Sequence, residues 1–104
     1  MFVYYKVESA RGDEKMLNIN VPIEMIASCN TLGEMQPIKF RVEDDAHQML
    51  TLKVDEVVYK KESIYAGIKT FEYGCKIRME DKEQLIEVRY HVINHKWTIK
   101  KIVC

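Results

Sequence analysis

Apolar and polar residues alternate with a period of two through most of this chain, which commits it to β-strands that bury one face. Ile19, Val21, Ile23, Met25 and Ala27 form one apolar set, and Ile38, Phe40 and Val42 a second. Leu50, Leu52 and Val54 form a third. Phe71, Tyr73, Cys75, Ile77 and Met79 form another, followed by Ile86, Val88, Tyr90 and Val92, then Trp97 and Ile99. After Val54 the phase slips by one residue to Val57 and Tyr59, so a β-bulge or bend is expected near Asp55-Glu56-Val57. Pro22 within a strand pattern marks an edge or a bulge.

Turn chemistry separates these runs. Asn30–Glu34, Asp44–His47, Glu80–Glu83 and Asn94-His95 all read as tight connections, the last as a two-residue hairpin loop. Between Val57 and Lys69 the pattern weakens. Lys60–Ser63 reads as a turn there, and Ala66-Gly67 as a kink or a break between strands. Connections this short join antiparallel neighbours, because a parallel crossover needs a dozen residues or more. The expected fold is therefore all-β, with six to seven antiparallel strands in meander order. Such a sheet covers its apolar face by curling into a barrel, by folding into a sandwich, or by pairing with a second copy. With no helix to act as a lid, a small, partly open barrel is favoured. Its edges would be relieved by a homodimer through an edge strand. Residues 1–104 read as one domain. Residues 1–18 are an N-terminal extension with a short strand at Phe2–Val7, and 19–104 are the barrel core.

Composition narrows the function classes. Sixteen Lys and Arg balance sixteen Asp and Glu over 104 residues, which disfavours a polyanion binder that works by bulk charge. Cys29, Cys75 and Cys104 are odd in number and lack CxxC spacing, so the reducing cytosol is the expected compartment. Met1–Lys6 has neither the basic start nor the apolar run of a signal peptide. No stretch reaches the ~18 apolar residues of a membrane helix, so no membrane partner is expected.

Catalytic constellations are weak. Cys75 falls on the apolar face of its strand and His91 on the polar face of its own, which argues against a Cys–His pair and against zinc with His95. Ser9, Ser28 and Ser63 lack a nucleophile-elbow context. Glu43-Asp44-Asp45 and Asp55-Glu56 read as solvated acidic turns, and no phosphate-binding glycine loop is present. The chain is expected not to be an enzyme, with no catalytic residue, no metal and no cofactor.

The outward face carries more information. Lys39, Arg41, Lys53, Lys76, Arg78, Arg89, Lys96 and Lys100 fall on it against Glu24, Glu43, Asp55, Glu72 and Glu87, a surplus of three positive charges. Small barrels track phosphate backbones with such a face and stack bases on exposed aromatics. Here Phe40, Phe71, Tyr73, Tyr90 and Trp97 share the apolar face, leaving Tyr4, Tyr5, Tyr59 and Tyr65 as outward candidates. The leading reading is a non-catalytic interaction module whose partner is another protein or a second copy. The alternative is a nucleic-acid-associated barrel contacting phosphate through Lys39, Arg41, Lys76, Arg78 and Arg89.

Several short motifs bear on family. Val21-Pro-Ile-Glu-Met-Ile-Ala27, Pro37-Ile-Lys-Phe40, Glu43-Asp44 and Val54-Asp-Glu-Val57 are joined by Ala66-Gly67, Tyr73-Gly-Cys-Lys-Ile77 and Lys96-Trp97. Across Val21–Ile102 the chain resembles a family of short, uncharacterised all-β proteins from Clostridia and related Firmicutes. It departs from that pattern at Val42-Glu-Asp-Asp45, where the family has Trp-Glu-Asp-Gly, and in carrying a single glycine near Ala66-Gly67. The resemblance implies an all-β fold and no enzymatic activity.

Overall fold

The computed structural model describes residues 17–103; the expected strand at Phe2–Val7, Tyr4, Tyr5 and Cys104 lie outside them. Six strands follow one another: β1 (Leu17–Cys29), β2 (Met35–Glu43), β3 (Met49–Tyr65), β4 (Ile68–Met79), β5 (Lys82–His91) and β6 (Lys96–Ile102). Each pairs antiparallel with the next, and β1 pairs with β6, so the meander closes into a complete ring rather than a partly open one. Among the described residues, no helix is long and apolar enough to cross a membrane.

The turns follow from their residues. Asn30 Oδ1 accepts the backbone N–H groups of Leu32 and Glu34 at 2.9 Å, and Gly33 supplies a φ of 85°. Asp44 Oδ1 does the same for Ala46 and Gln48 at 2.8 Å. Ala66-Gly67 and Glu80-Asp81 are two-residue loops with positive φ at both positions, the twist that suits right-handed strands. Lys60–Ser63 is not a turn. It lies within β3, whose reversal comes at Ala66-Gly67. The β5–β6 loop is four residues, Val92–His95, rather than two. His95 at φ 58° donates its N–H to the His91 carbonyl and closes that loop.

β3 changes partner along its length. Met49–Lys53 pair with β2, whereas Val54–Tyr65 pair with β4. The register slips where the sequence phase slips, and then slips a second time. Val54 and Glu56 face Ile77 and Lys76, and Val57 and Tyr59 face Cys75 and Gly74, so Asp55 and Val58 are extra residues. The second slip turns Tyr59 out of the apolar set that the alternation assigns it to. Another bulge, where Ile26 faces Lys39 and Ala27 faces Pro37, turns Ile38 outward and Pro37 inward. The alternation places Ile38 inside; Pro37, which has no N–H for the ladder, sits beside the disrupted register that reverses it. The β1–β6 register shifts between Asn18 and Val21, just before Pro22, as its position in a strand requires.

Phe40, Val42, Leu52, Val54, Tyr73, Cys75, Ile77, Ile86, Val88, Trp97 and Ile99 fill the barrel. Trp97 packs between the rings of Tyr90 and Tyr73, at centroid distances of 4.9 and 5.6 Å. Phe71 and Tyr90 are half-buried against this core. Two substitutions two residues apart test the bulge at Pro37. Phe40→Ala is expected to lower the unfolding free energy by about 3–5 kcal/mol, and Ile38→Ala by less than about 1 kcal/mol. Urea denaturation of both variants measures this, and equal losses would place Ile38 inside.

Candidate functional site

The outer face of β3–β6 carries charges that are nonetheless buried: Glu72 is 0% exposed, Glu87 1% and Arg89 5%. Register explains how they meet. Lys61 faces Glu72 and Glu72 faces Arg89, forming one cross-strand row. Tyr59 faces Gly74, Gly74 faces Glu87 and Glu87 faces Lys101, forming the next. A bulge inserts Lys100 between the β6 residues that face Glu87 and Val88, so two consecutive lysines reach one carboxylate.

Glu72 holds the centre. Its Oε2 accepts from Arg89 Nη2 at 3.1 Å and Nε at 3.3 Å, and its Oε1 accepts from Lys100 Nζ at 3.1 Å. Lys100 Nζ also lies 3.2 Å from Glu87 Oε1, with Lys101 at 3.9 Å. The Tyr59 hydroxyl donates to Glu87 Oε2, and Lys61 Nζ spans both carboxylates at 3.7–3.8 Å. The Arg89 guanidinium stacks under the Tyr65 ring at 4.0 Å, and Tyr65 accepts from Asn20 Nδ2 at 3.3 Å. Gly74 is needed beneath this cover, because a methyl there would overlap the Tyr59 ring.

Burial pushes the Glu72 carboxyl up, but hydrogen bonds from Lys100 and Arg89 outweigh it and hold the group below the usual carboxylate range. Glu87 is likewise raised by burial and brought lower by Tyr59 and Lys100. The Tyr59 phenol is pushed up, first by burial and then by its bond to Glu87. Burial, followed by the Arg89 charge, lowers His91, whose Nε2 lies 3.2 Å from Thr98 Oγ1. Inside the barrel, burial raises the Cys75 thiol to about 12. Both carboxylates are shifted away from what a general acid near neutral pH needs, and the buried Cys75 thiol away from a nucleophile. The network positions strands and side chains.

The basic residues singled out from the sequence do not converge. Arg41 bonds Glu24 at 2.6 Å, and Lys76 stands between Glu56 and Glu83 at 3.6 and 3.9 Å. Arg89 is buried against Glu72 and offers no guanidinium edge to a phosphate. Lys39 faces Lys53 across β2 and β3, and Arg78 is exposed on β4 beside Ile77, which faces Val54, with Glu83 opposite it on β5. Half of the eight outward basic residues, Arg41, Lys76, Arg89 and Lys100, are therefore paired with neighbouring acids.

The second feature of this region is an edge. Among the described residues, β3 from Glu56 to Tyr65 bonds to β4 alone. Tyr65 and Ile68 flank the two-residue turn and form its hydrogen-bonded pair. Tyr65, Ser63 and Lys61 therefore turn their backbone groups toward β4, and Ile64, Glu62 and Lys60 turn theirs outward. Val58, Ile64, Tyr65 and Ile68 are exposed along this ribbon, Ile64 by 69%. A cleft of about 370 Å³ opens beside it at the barrel mouth, between Asn30, Glu34 and Met35 on one side and Val57 and Lys60 on the other. Sequence reasoning expected an edge without locating it on β3, and it missed the buried network. The glycine facing an aromatic across two strands, and acids and bases in successive cross-strand rows, are the signals that mark the network.

The chain matches no family model, no curated protein and no solved structure. Its functional reading rests on its own residues.

Lowered carboxylates stabilise the fold above the ordinary carboxylate pKa, near 4.5, and lose that contribution as pH falls through their folded values. A lowered histidine adds a loss that begins as pH falls below 6.5. Stability is therefore expected to decline gently below pH 6.5 and steeply below 4.5. Glu72→Gln removes the counter-ion shared by Arg89 and Lys100. It should lose about 3–5 kcal/mol at neutral pH and show a flatter acid decline, both measurable by denaturant titration across pH.

Proposed function

We propose that this protein is a non-catalytic interaction module that takes an extended strand onto the open edge of β3. The observation that carries this reading is the pairing of residues 56–65 on one side only among the described residues. Its outward N–H and C=O groups form a template for main-chain hydrogen bonds, and exposed Val58 and Ile64 supply side-chain contact. The buried ion network supports it from behind. Lys61 is tied to Glu72 and Glu87, and Tyr65 to Arg89, so the outer face of the edge is anchored at two points before a partner arrives. The odd cysteine count and the lack of CxxC spacing fit a reducing, cytoplasmic setting.

A displayed library of random ten-residue peptides tests it. Recovered peptides should alternate apolar and polar residues and should slow amide hydrogen exchange at Lys60, Glu62 and Ile64. Glu62→Pro removes an outward N–H without touching the β3–β4 ladder, so the variant should fold and bind these peptides at least about tenfold more weakly. Peptides that bind with those amides unprotected, or equally well to Glu62→Pro, would overturn the reading, as would a library that yields none.

Contact with nucleic acid through Lys39, Arg41, Lys76, Arg78 and Arg89 has less support, because three of the five are already paired. Phosphate contacts strengthen steeply as salt falls. Single-stranded DNA and RNA are expected to show no binding at ~50 mM salt in a fluorescence anisotropy titration.

A further inference from the structure

Resting on the strand-addition reading, we propose that the strand that fits the open edge of β3 is the same edge of a second copy of this chain. The outward-bonding residues are Lys60, Glu62 and Ile64, with Val58 exposed as the extra residue of the second bulge. Read along the edge, they run apolar, basic, acidic, apolar. Turned antiparallel on itself about Lys61, this series is self-complementary. Lys60 of each copy meets Glu62 of the other, and Val58 meets Ile64. Lys60 and Glu62 both turn their backbone groups outward, so the pair that matches in charge is also one that hydrogen-bonds, while Val58 and Ile64 add apolar contact beside it.

Neighbouring registers fail on the same residues. A two-fold axis at Lys60 sets two lysines against each other and buries Val58 against Glu62. An axis at Glu62 opposes two glutamates and sets Lys60 against Ile64. Like charges directly opposite each other across strands are destabilising, so the edge excludes these alternatives. The chosen axis brings together the two Lys61 side chains, but each is turned to the outer face and held 3.7–3.8 Å from Glu72 and Glu87 of its own barrel. Glu62 has an internal partner in Lys69 at 3.7 Å. Both ends of that pair are exposed and leave the carboxylate accessible. Two-fold pairing uses each edge once, which yields a closed dimer rather than an open filament.

Sedimentation equilibrium on the full chain over a concentration series tests this. The mass should rise from 12.3 kDa toward twice that value as concentration increases. The amides of Lys60, Glu62 and Ile64 should gain exchange protection in step. Lys60→Glu and Glu62→Lys should each weaken dimerisation by about tenfold, since symmetry applies each change twice. The double swap Lys60→Glu with Glu62→Lys should restore it. Thermal melts of the three variants confirm folding. The proposal is overturned if the wild type stays at 12.3 kDa throughout, if single swaps leave dimerisation unchanged, or if the double swap associates no better than the singles. A monomeric wild type whose edge amides are still protected by selected peptides would sink the second copy as partner and leave strand addition standing. Absence of both would remove both.

Discussion

Two extra residues, Asp55 and Val58, fit into β3 opposite a regular stretch of β4, and the rest of the molecule follows from how the backbone absorbs them. Insertions of this kind bend a strand and raise its twist. The bend lets one strand serve two neighbours in turn, β2 first and β4 afterwards, so six strands close a ring around an apolar interior. Once β3 has left β2, its second half has a neighbour on one side only among the described residues. The same irregularity exchanges faces: Val57 stays against the core and Tyr59 moves outside, where its ring covers Gly74 and its hydroxyl reaches Glu87.

That exchange accounts for the charged layer. An ion pair at the centre of a barrel would lose its hydration on all sides, and the attraction gained would seldom compensate. Here the charges lie on the outer surface of the sheet under a cover of Tyr59, Tyr65 and lysine stems. The dielectric is low enough to strengthen the bonds, while each carboxylate keeps more than one cation. The layer ties β3, β4, β5 and β6 to one another by side chains in addition to their ladders.

Much of the fold was legible in the residues because a closed meander keeps one face of every strand apolar. The sets from Phe71 to Met79 and from Ile86 to Tyr90 lie where their alternation places them, and the slip after Val54 is a real bulge. What alternation cannot report is a local change of phase inside a polar stretch. Lys60–Ser63 carries no apolar rhythm, so a strand there looks like a turn. Ile38 fits the rhythm and still points outward, because the bulge beside Pro37 shifts it by one position. The site was less legible for a related reason. Period two separates inward from outward, yet it equates outward with exposed. Glu72, Glu87 and Arg89 are outward and buried, a state created by an aromatic that arrives from a distant stretch of β3 and by the space Gly74 leaves for it.

Six described residues other than glycine sit at positive φ: Asn20, His47, Ala66, Glu80, Asp81 and His95. An L-residue held there gives up roughly 1–2 kcal/mol, less for asparagine or aspartate, whose side chains tolerate the conformation. Ala66 and Glu80 have no such excuse, and each occupies a hairpin position where glycine or asparagine is at home. The barrel can therefore gain thermal stability at two turns, one at Glu80 away from the open edge and one at Ala66 beside it.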